Sequence, residues 1–153
     1  MDDTISTTAE AIEAAAMTKA RVVHLRDCEP TVEQQPLPKS VAAKPVAQKS
    51  PAEWAYERLV LYIQNFEEQL DADQEVAMGF TGGGAGVMRI EGMGFFAPDI
   101  LTFYGSDLEG TKAQQIQHVS QLNVMLRALP KEVDRPEPNR IGFRLAQQLE
   151  EDG

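Results

Sequence analysis

Ala52, Ala55, Tyr56, Leu59, Ile63, Phe66 and Leu70 recur at steps of three and four, the spacing of one buried face of an α-helix. Trp54 and Leu61, seven apart, form a second stripe on another side of the same helix. The helix therefore either sits deep in the fold or offers Trp54 and Leu61 to another subunit as an interface. Its start is written in Ser50-Pro51-Ala52-Glu53. Ser50 can cap the first turn, Pro51 suits the position where no amide bond is lost, and Glu53 can return a hydrogen bond to the Ser50 amide.

Beyond Glu75 the apolar period falls from about four to two. Val76, Met78 and Phe80 alternate with Ala77 and Gly79. After the glycine-rich Thr81 to Gly86, Val87, Arg89 and Glu91 alternate with Met88 and Ile90. Two strands joined as a hairpin are expected, with Gly92 and Gly94 allowing a bend or bulge in the second. Ala97-Pro98-Asp99 marks a turn, Ile100 to Tyr104 a third strand, Gly105 to Gly110 a loop, and Lys112 to about Val119 a fourth strand. Leu122 to Leu129 satisfies both periods, strand through Leu122, Val124 and Leu126, helix through Leu122, Met125, Leu126 and Leu129. Ile141, Phe143 and Leu145 alternate and predict a short strand over 141–145, followed by a helical or frayed end.

Upstream of Ser50, prolines at 30, 36, 38 and 45 read as an extended linker. Residues 8–26 contain good helix formers but few large apolar side chains, so they form either a fraying helix in a disordered tail or a docking helix for a partner. Three segments follow: a disordered tail and Pro-rich linker over 1–49, a helix-plus-sheet domain over 50–130, and a C-terminal extension over 131–153. The expected fold is α+β, an N-terminal helix packed on a strongly bent antiparallel sheet or small barrel of about five strands.

Charge narrows the choice of partners. The 153 residues carry a formal charge of -10, and the segment 51–130 holds eleven acids against four bases. Such a field repels phosphate polyanions, which disfavours RNA and argues against DNA as a partner. Cys28 is the only cysteine, so no internal disulfide and no thiolate zinc cage can form. The start of the sequence has no signal-peptide pattern, and no apolar run of 18 residues occurs. These features predict a cytoplasmic protein without a membrane partner, a metal or a cofactor.

Candidate chemistry is sparse. Thr81 to Gly86 could cradle phosphate, but it lacks the Gly-Lys-Ser/Thr ending of a P-loop and precedes a strand pattern where the dinucleotide fingerprint needs a helix. His118 is the one histidine of the predicted domain, with no cysteine or second histidine there to share a metal. It is either a structural histidine or, with an acid such as Asp99 or Asp107, the base of a small hydrolase. Aromatic residues at 56, 62, 95, 96, 103 and 104 are assigned mainly to the core.

Two resemblances extend this reading. The stretches Ser50 to Leu59, Gly94 to Ile100, Phe103-Tyr104-Gly105, Ile116 to Leu122 and Arg140 to Phe143 resemble an uncharacterised bacterial family with only a domain-of-unknown-function label. The order helix, strand, long bent strand, strand, loop, strand, strand is also similar to Sm-like (Hfq-type) proteins. In that family an aromatic-Lys-His motif on the fourth strand contributes to RNA contact and to ring packing. Ile116-Gln117-His118 stands in the comparable place, so the resemblance implies Gln117 and His118 as ligand or RNA contacts, with His118 matching and the lysine and the aromatic replaced. The sequence thus predicts a noncatalytic interaction or adaptor module that self-associates as a homo-oligomer or binds a protein partner. An Sm-like single-stranded RNA binder and a small hydrolase are the alternatives.

Overall fold

A computed structural model describes residues 20–26, 29–80 and 86–152. The helix expected over 8–26 falls mostly outside these residues, and its described part, 20–26, is not helical. Cys28 and all of the glycine-rich loop except Gly86 also lie outside them.

The main helix, which follows the short α1 (Lys39–Ala42), is α2, Pro51–Glu67. The Ser50 hydroxyl accepts the Glu53 amide at 3.1 Å, half of the expected reciprocal cap. The Glu53 carboxylate turns to Lys44 at 3.2 Å instead of returning to Ser50. The Ala52 amide, with no partner inside the helix, donates to the Pro98 carbonyl at 2.9 Å. Thus the helix start is pinned to the turn between the second and third strands.

The strands are β1 (Gln74–Phe80), β2 (Val87–Phe96), β3 (Ile100–Ser106), β4 (Lys112–His118) and β5 (Val124–Pro130). They form one antiparallel sheet in the order β4-β3-β2-β1-β5, an open sheet in which no pairing of β4 with β5 closes a barrel. The ambiguous segment resolves as β5, because a full seven-residue register against β1 satisfies its backbone. A bulge between Ile90 and Gly92 interrupts the β2–β3 register, and beside it the two backbones approach very closely. A Cβ on Gly105 would stand 1.9 Å from the Arg89 carbonyl oxygen, so only glycine fits.

One face of the sheet is covered. Val76, Met78, Met88, Ile90, Met93, Leu101 and Phe103 pack there against Tyr56, Leu59, Val60 and Ile63 of α2. Ile141 and Leu145 of the C-terminal helix α3, Ile141–Asp152, complete the cluster. The strand expected over 141–145 is therefore corrected to a helix: Ile141, Leu145 and Leu149 fall four apart on its buried side, and Phe143 is exposed. The Glu67 carboxylate caps the start of α3, accepting the amides of Gly142 at 2.8 Å and Phe143 at 3.2 Å. Burial pushes the Glu67 carboxyl above its ordinary value, against the pull of those amides and of Arg140.

Packing also extends upstream of Ser50. Val41 of α1 is buried, the Asn65 side chain donates to the Pro30 carbonyl at 3.1 Å, and the Tyr62 hydroxyl donates to Glu33. That last bond, with burial and the Glu33 charge behind it, raises the Tyr62 pKa to about 12. Lys49 is buried in an ion pair with Glu57 at 2.7 Å. Residues 30–49 are thus laid along α2, and the expected boundary at residue 50 marks a helix start within a larger packed unit.

Glu75 joins the C-terminal segment to the sheet. Its side chain, 1% exposed, accepts Arg89 of β2 at 2.8 Å, Arg135 at 2.6 Å and the Asn139 amide at 2.8 Å. Burial, the largest single influence, pushes this carboxyl up. The hydrogen bonds from Arg135, Asn139 and Arg89, with the Arg135 charge, outweigh it and hold Glu75 below its ordinary value of 4.5. A lowered folded pKa contributes stability that is present above the unfolded value and lost as pH falls through the folded one; Glu67, raised, contributes in the opposite sense. Glu75→Gln is expected to cost about 3 kcal/mol near neutral pH, with the gap from wild type narrowing as pH falls below about 4.5, read from urea unfolding across pH. By the same measurement Gly105→Ala should cost about 3 kcal/mol, and a loss within 0.5 kcal/mol would contradict the close approach at the bulge.

Candidate functional site

Strand alternation sends half of each strand away from α2 and α3. In β3, Leu101 and Phe103 face the core while Ile100, Thr102 and Tyr104 face outward. The register brings Phe96 beside Ile100, Ile116 beside Thr102 and His118 beside Ile100, all on this second face. No described helix covers them: Phe96 is 77% exposed, Ile116 63% and Tyr104 44%. Gly92 lies opposite Tyr104, and a Cβ there would touch the Tyr104 ring at 3.5 Å. Assigning the aromatics mainly to the core holds for Tyr56 and Phe103 and fails for Phe96 and Tyr104. Adjacent Phe95 and Phe96 must point to opposite faces, and that alternation was the available signal.

His118 ends β4 at the corner of this face. Its Nε2 lies 3.1 Å from Asp99 Oδ2, and its Nδ1 accepts the Ser120 amide at 3.0 Å with Ser120 Oγ 2.7 Å away. The Val119 amide donates to the Asp99 carbonyl at 2.7 Å, so residue 99 is held by both side chain and backbone. An Asp-His-Ser grouping invites comparison with a hydrolase, but the single lone pair of Nδ1 is already engaged by the Ser120 amide. That sets the Nε2 proton toward Asp99 and leaves no nitrogen free to deprotonate the hydroxyl. The cluster caps the 3-10 turn Val119–Gln121. Asp107, the other acid considered, accepts the amides of Glu109 at 3.0 Å and Thr111 at 2.9 Å and shapes its own loop.

Gln117 points the other way. It is 9% exposed, on the core side opposite Leu101, and its Oε1 has no partner among the described residues. Gln117 and His118 therefore sit on opposite faces and do not form one contact surface. Trp54 lies on the side of α2 away from the sheet-facing stripe, with the Arg58 guanidinium over its ring at 3.0 Å and Lys49 Nζ at 5.3 Å. Leu61 on the same side is half-buried. The two share a helix face, and side chains of the domain itself already cover much of Trp54.

Among the described residues, clefts lie elsewhere. One of about 1000 Å³ is bordered by Glu132, Arg135, Arg140 and Arg144. Its cations are largely engaged, since Arg135 binds Glu75 and Arg140 donates to the Gln74 and Asp71 carbonyls at 2.5 and 3.1 Å. Another, about 410 Å³, lies between Lys44, Glu53, Glu57 and Gly94, where Lys44 and Glu53 pair with each other. Among the described residues no group of three or more His, Cys, Asp or Glu could hold a metal ion, and no helix is long and apolar enough to cross a membrane.

The molecule is thus an α+β domain with one helix-covered sheet face and one open face. Residues 45–144 match a family of unknown function, DUF6173, and the chain belongs to that family. No curated protein and no solved structure matches it. The element order that suggested Sm-like proteins is present, but no structural match accompanies it. Because Gln117 is buried with an unpaired oxygen, Gln117→Leu should raise stability by about 1 kcal/mol in urea unfolding; a destabilised variant would mean that the amide has a partner.

Proposed function

We propose that this domain is a noncatalytic interaction module that binds a second copy of the chain along β4, at the margin of its open sheet face. The observation that carries this reading is the exposed row Phe96, Ile116 and Tyr104, which has no described partner within the chain. Large exposed apolar side chains gathered on one face mark interaction sites more often than bare surface. The charge pattern supports a protein partner over a polyanion. The cations assigned to this face by alternation are few, Lys112, Arg89 and Arg127, and Arg89 is spent on Glu75. The reading excludes catalysis on the ground that the His118 cluster is tied up in closing its turn. A cytoplasmic location suits a chain whose single cysteine has no intramolecular partner.

Light scattering after size exclusion on the full chain is expected to give the mass of two or more chains. Ile116→Asp, which places a carboxylate in the apolar row, should raise the dissociation constant at least about thirtyfold while leaving the unfolding midpoint near wild type. A monomer at every concentration would overturn the reading. Retention of single-stranded RNA at low salt by that monomer, lost in His118→Ala, would move the assignment to RNA.

A further inference from the structure

Among the described residues no strand pairs with the outer side of β4 or of β5, and the two edges differ. β5 carries Arg127 in its middle and ends at Pro130, two of the devices by which proteins keep an edge from pairing with another chain. β4, Lys112–His118, has its lysine only at its first residue, and beyond it Ala113-Gln114-Gln115-Ile116-Gln117 has no charge, no proline and no bulge against β3. An uninterrupted seven-residue edge in a protein of charge -10 is where a second copy can approach with least repulsion.

Charge is also placed at the two ends of that edge with opposite sign. Lys112 stands at one end and Asp99, held by His118, at the other. We infer, on the basis of the self-association proposed above, that two copies pair β4 to β4 in antiparallel fashion about a two-fold axis at Gln115, forming one continuous ten-stranded sheet. In that register Lys112 faces His118 of the second copy and lies within reach of its Asp99, and the same contact repeats at the other end. Gln114 faces Ile116 of the second copy on the open side. Ala113 faces Gln117 on the core side, and Gln115 faces its own counterpart. Cross-strand neighbours in such a pair have Cβ atoms about 5 Å apart, a gap that a lysine side chain spans easily. Because the contact is isologous it closes at two copies, and β5 stays out of it.

The test uses the full chain. In a Cys28→Ser background, Gln115→Cys is expected to give a disulfide-linked dimer under mild oxidation, whereas Arg127→Cys in the middle of β5 is not. Lys112→Glu and Asp99→Lys should each weaken the dimer about tenfold, since each change acts at both ends of the interface, and combining them should restore the affinity to within about threefold. If Asp99→Lys does not fold, the cross-link and Lys112→Glu decide. A dimer that Lys112→Glu leaves unchanged and Gln115→Cys does not cross-link overturns this pairing while self-association stands. A wild-type monomer overturns both.

Discussion

A single buried carboxylate governs how this chain closes. Glu75 lies on the strand between β2 and β5, 1% exposed, where an unpaired charge would cost several kcal/mol. Its partners come from two directions, Arg89 from the next strand and Arg135 with the Asn139 amide from the segment after β5. Satisfying Glu75 therefore requires residues 131–140 to turn back along the end of the sheet. Arg140 continues the turn by donating to the Gln74 and Asp71 carbonyls, and Glu67 at the end of α2 receives the first amides of α3. The last helix is delivered beside α2, on the face already covered. What the clamp decides is thus which face of the sheet stays open.

That consequence separates the two kinds of polar group in the molecule. Buried charges, Glu75 with its arginines and Lys49 with Glu57, hold distant segments together. Asp99 and Asp107 are instead held locally, Asp99 by His118 and Asp107 by its loop amides. Asp99 thus stands at the corner of the apolar row between Phe96 and Ile116 with its carboxylate directed to His118.

Much of the architecture is legible in the sequence because it is local. The cap and first turn of α2 are encoded within four residues, and β1 to β4 follow from alternation over five to ten. The failures are where local patterns fit two structures and a distant contact chooses. Ile141, Phe143 and Leu145 alternate as a strand would, yet Ile141, Leu145 and Leu149 also make a helical stripe, and the cap that favours the helix comes from Glu67, 75 residues earlier in the chain. Val124 to Leu129 had the same ambiguity until β1 supplied a register. Val41 gives no sign of burial among its prolines and lysines, so the sequence pattern alone places the start of the packed chain at residue 50. His118 and Asp99 were both legible as candidates, but their pairing depends on the register that sets His118 opposite Ile100.

On the pairing proposed above, the same register gives the His118 cluster a role in holding Asp99. An exposed aspartate at a strand corner ordinarily samples several rotamers, and an ion pair made with it pays side-chain entropy. Asp99 is restrained twice, through its side chain by His118 Nε2 and through its carbonyl by the Val119 amide, while the Ser120 amide fixes the tautomer that makes the first of these bonds. A carboxylate so held loses less freedom when it meets a cation, and it sits at the end of β4 opposite to Lys112. The grouping that looks most like a catalytic centre would, on the pairing proposed above, be a mount for a charge beside an edge that has no charge, proline or bulge between Ala113 and Gln117.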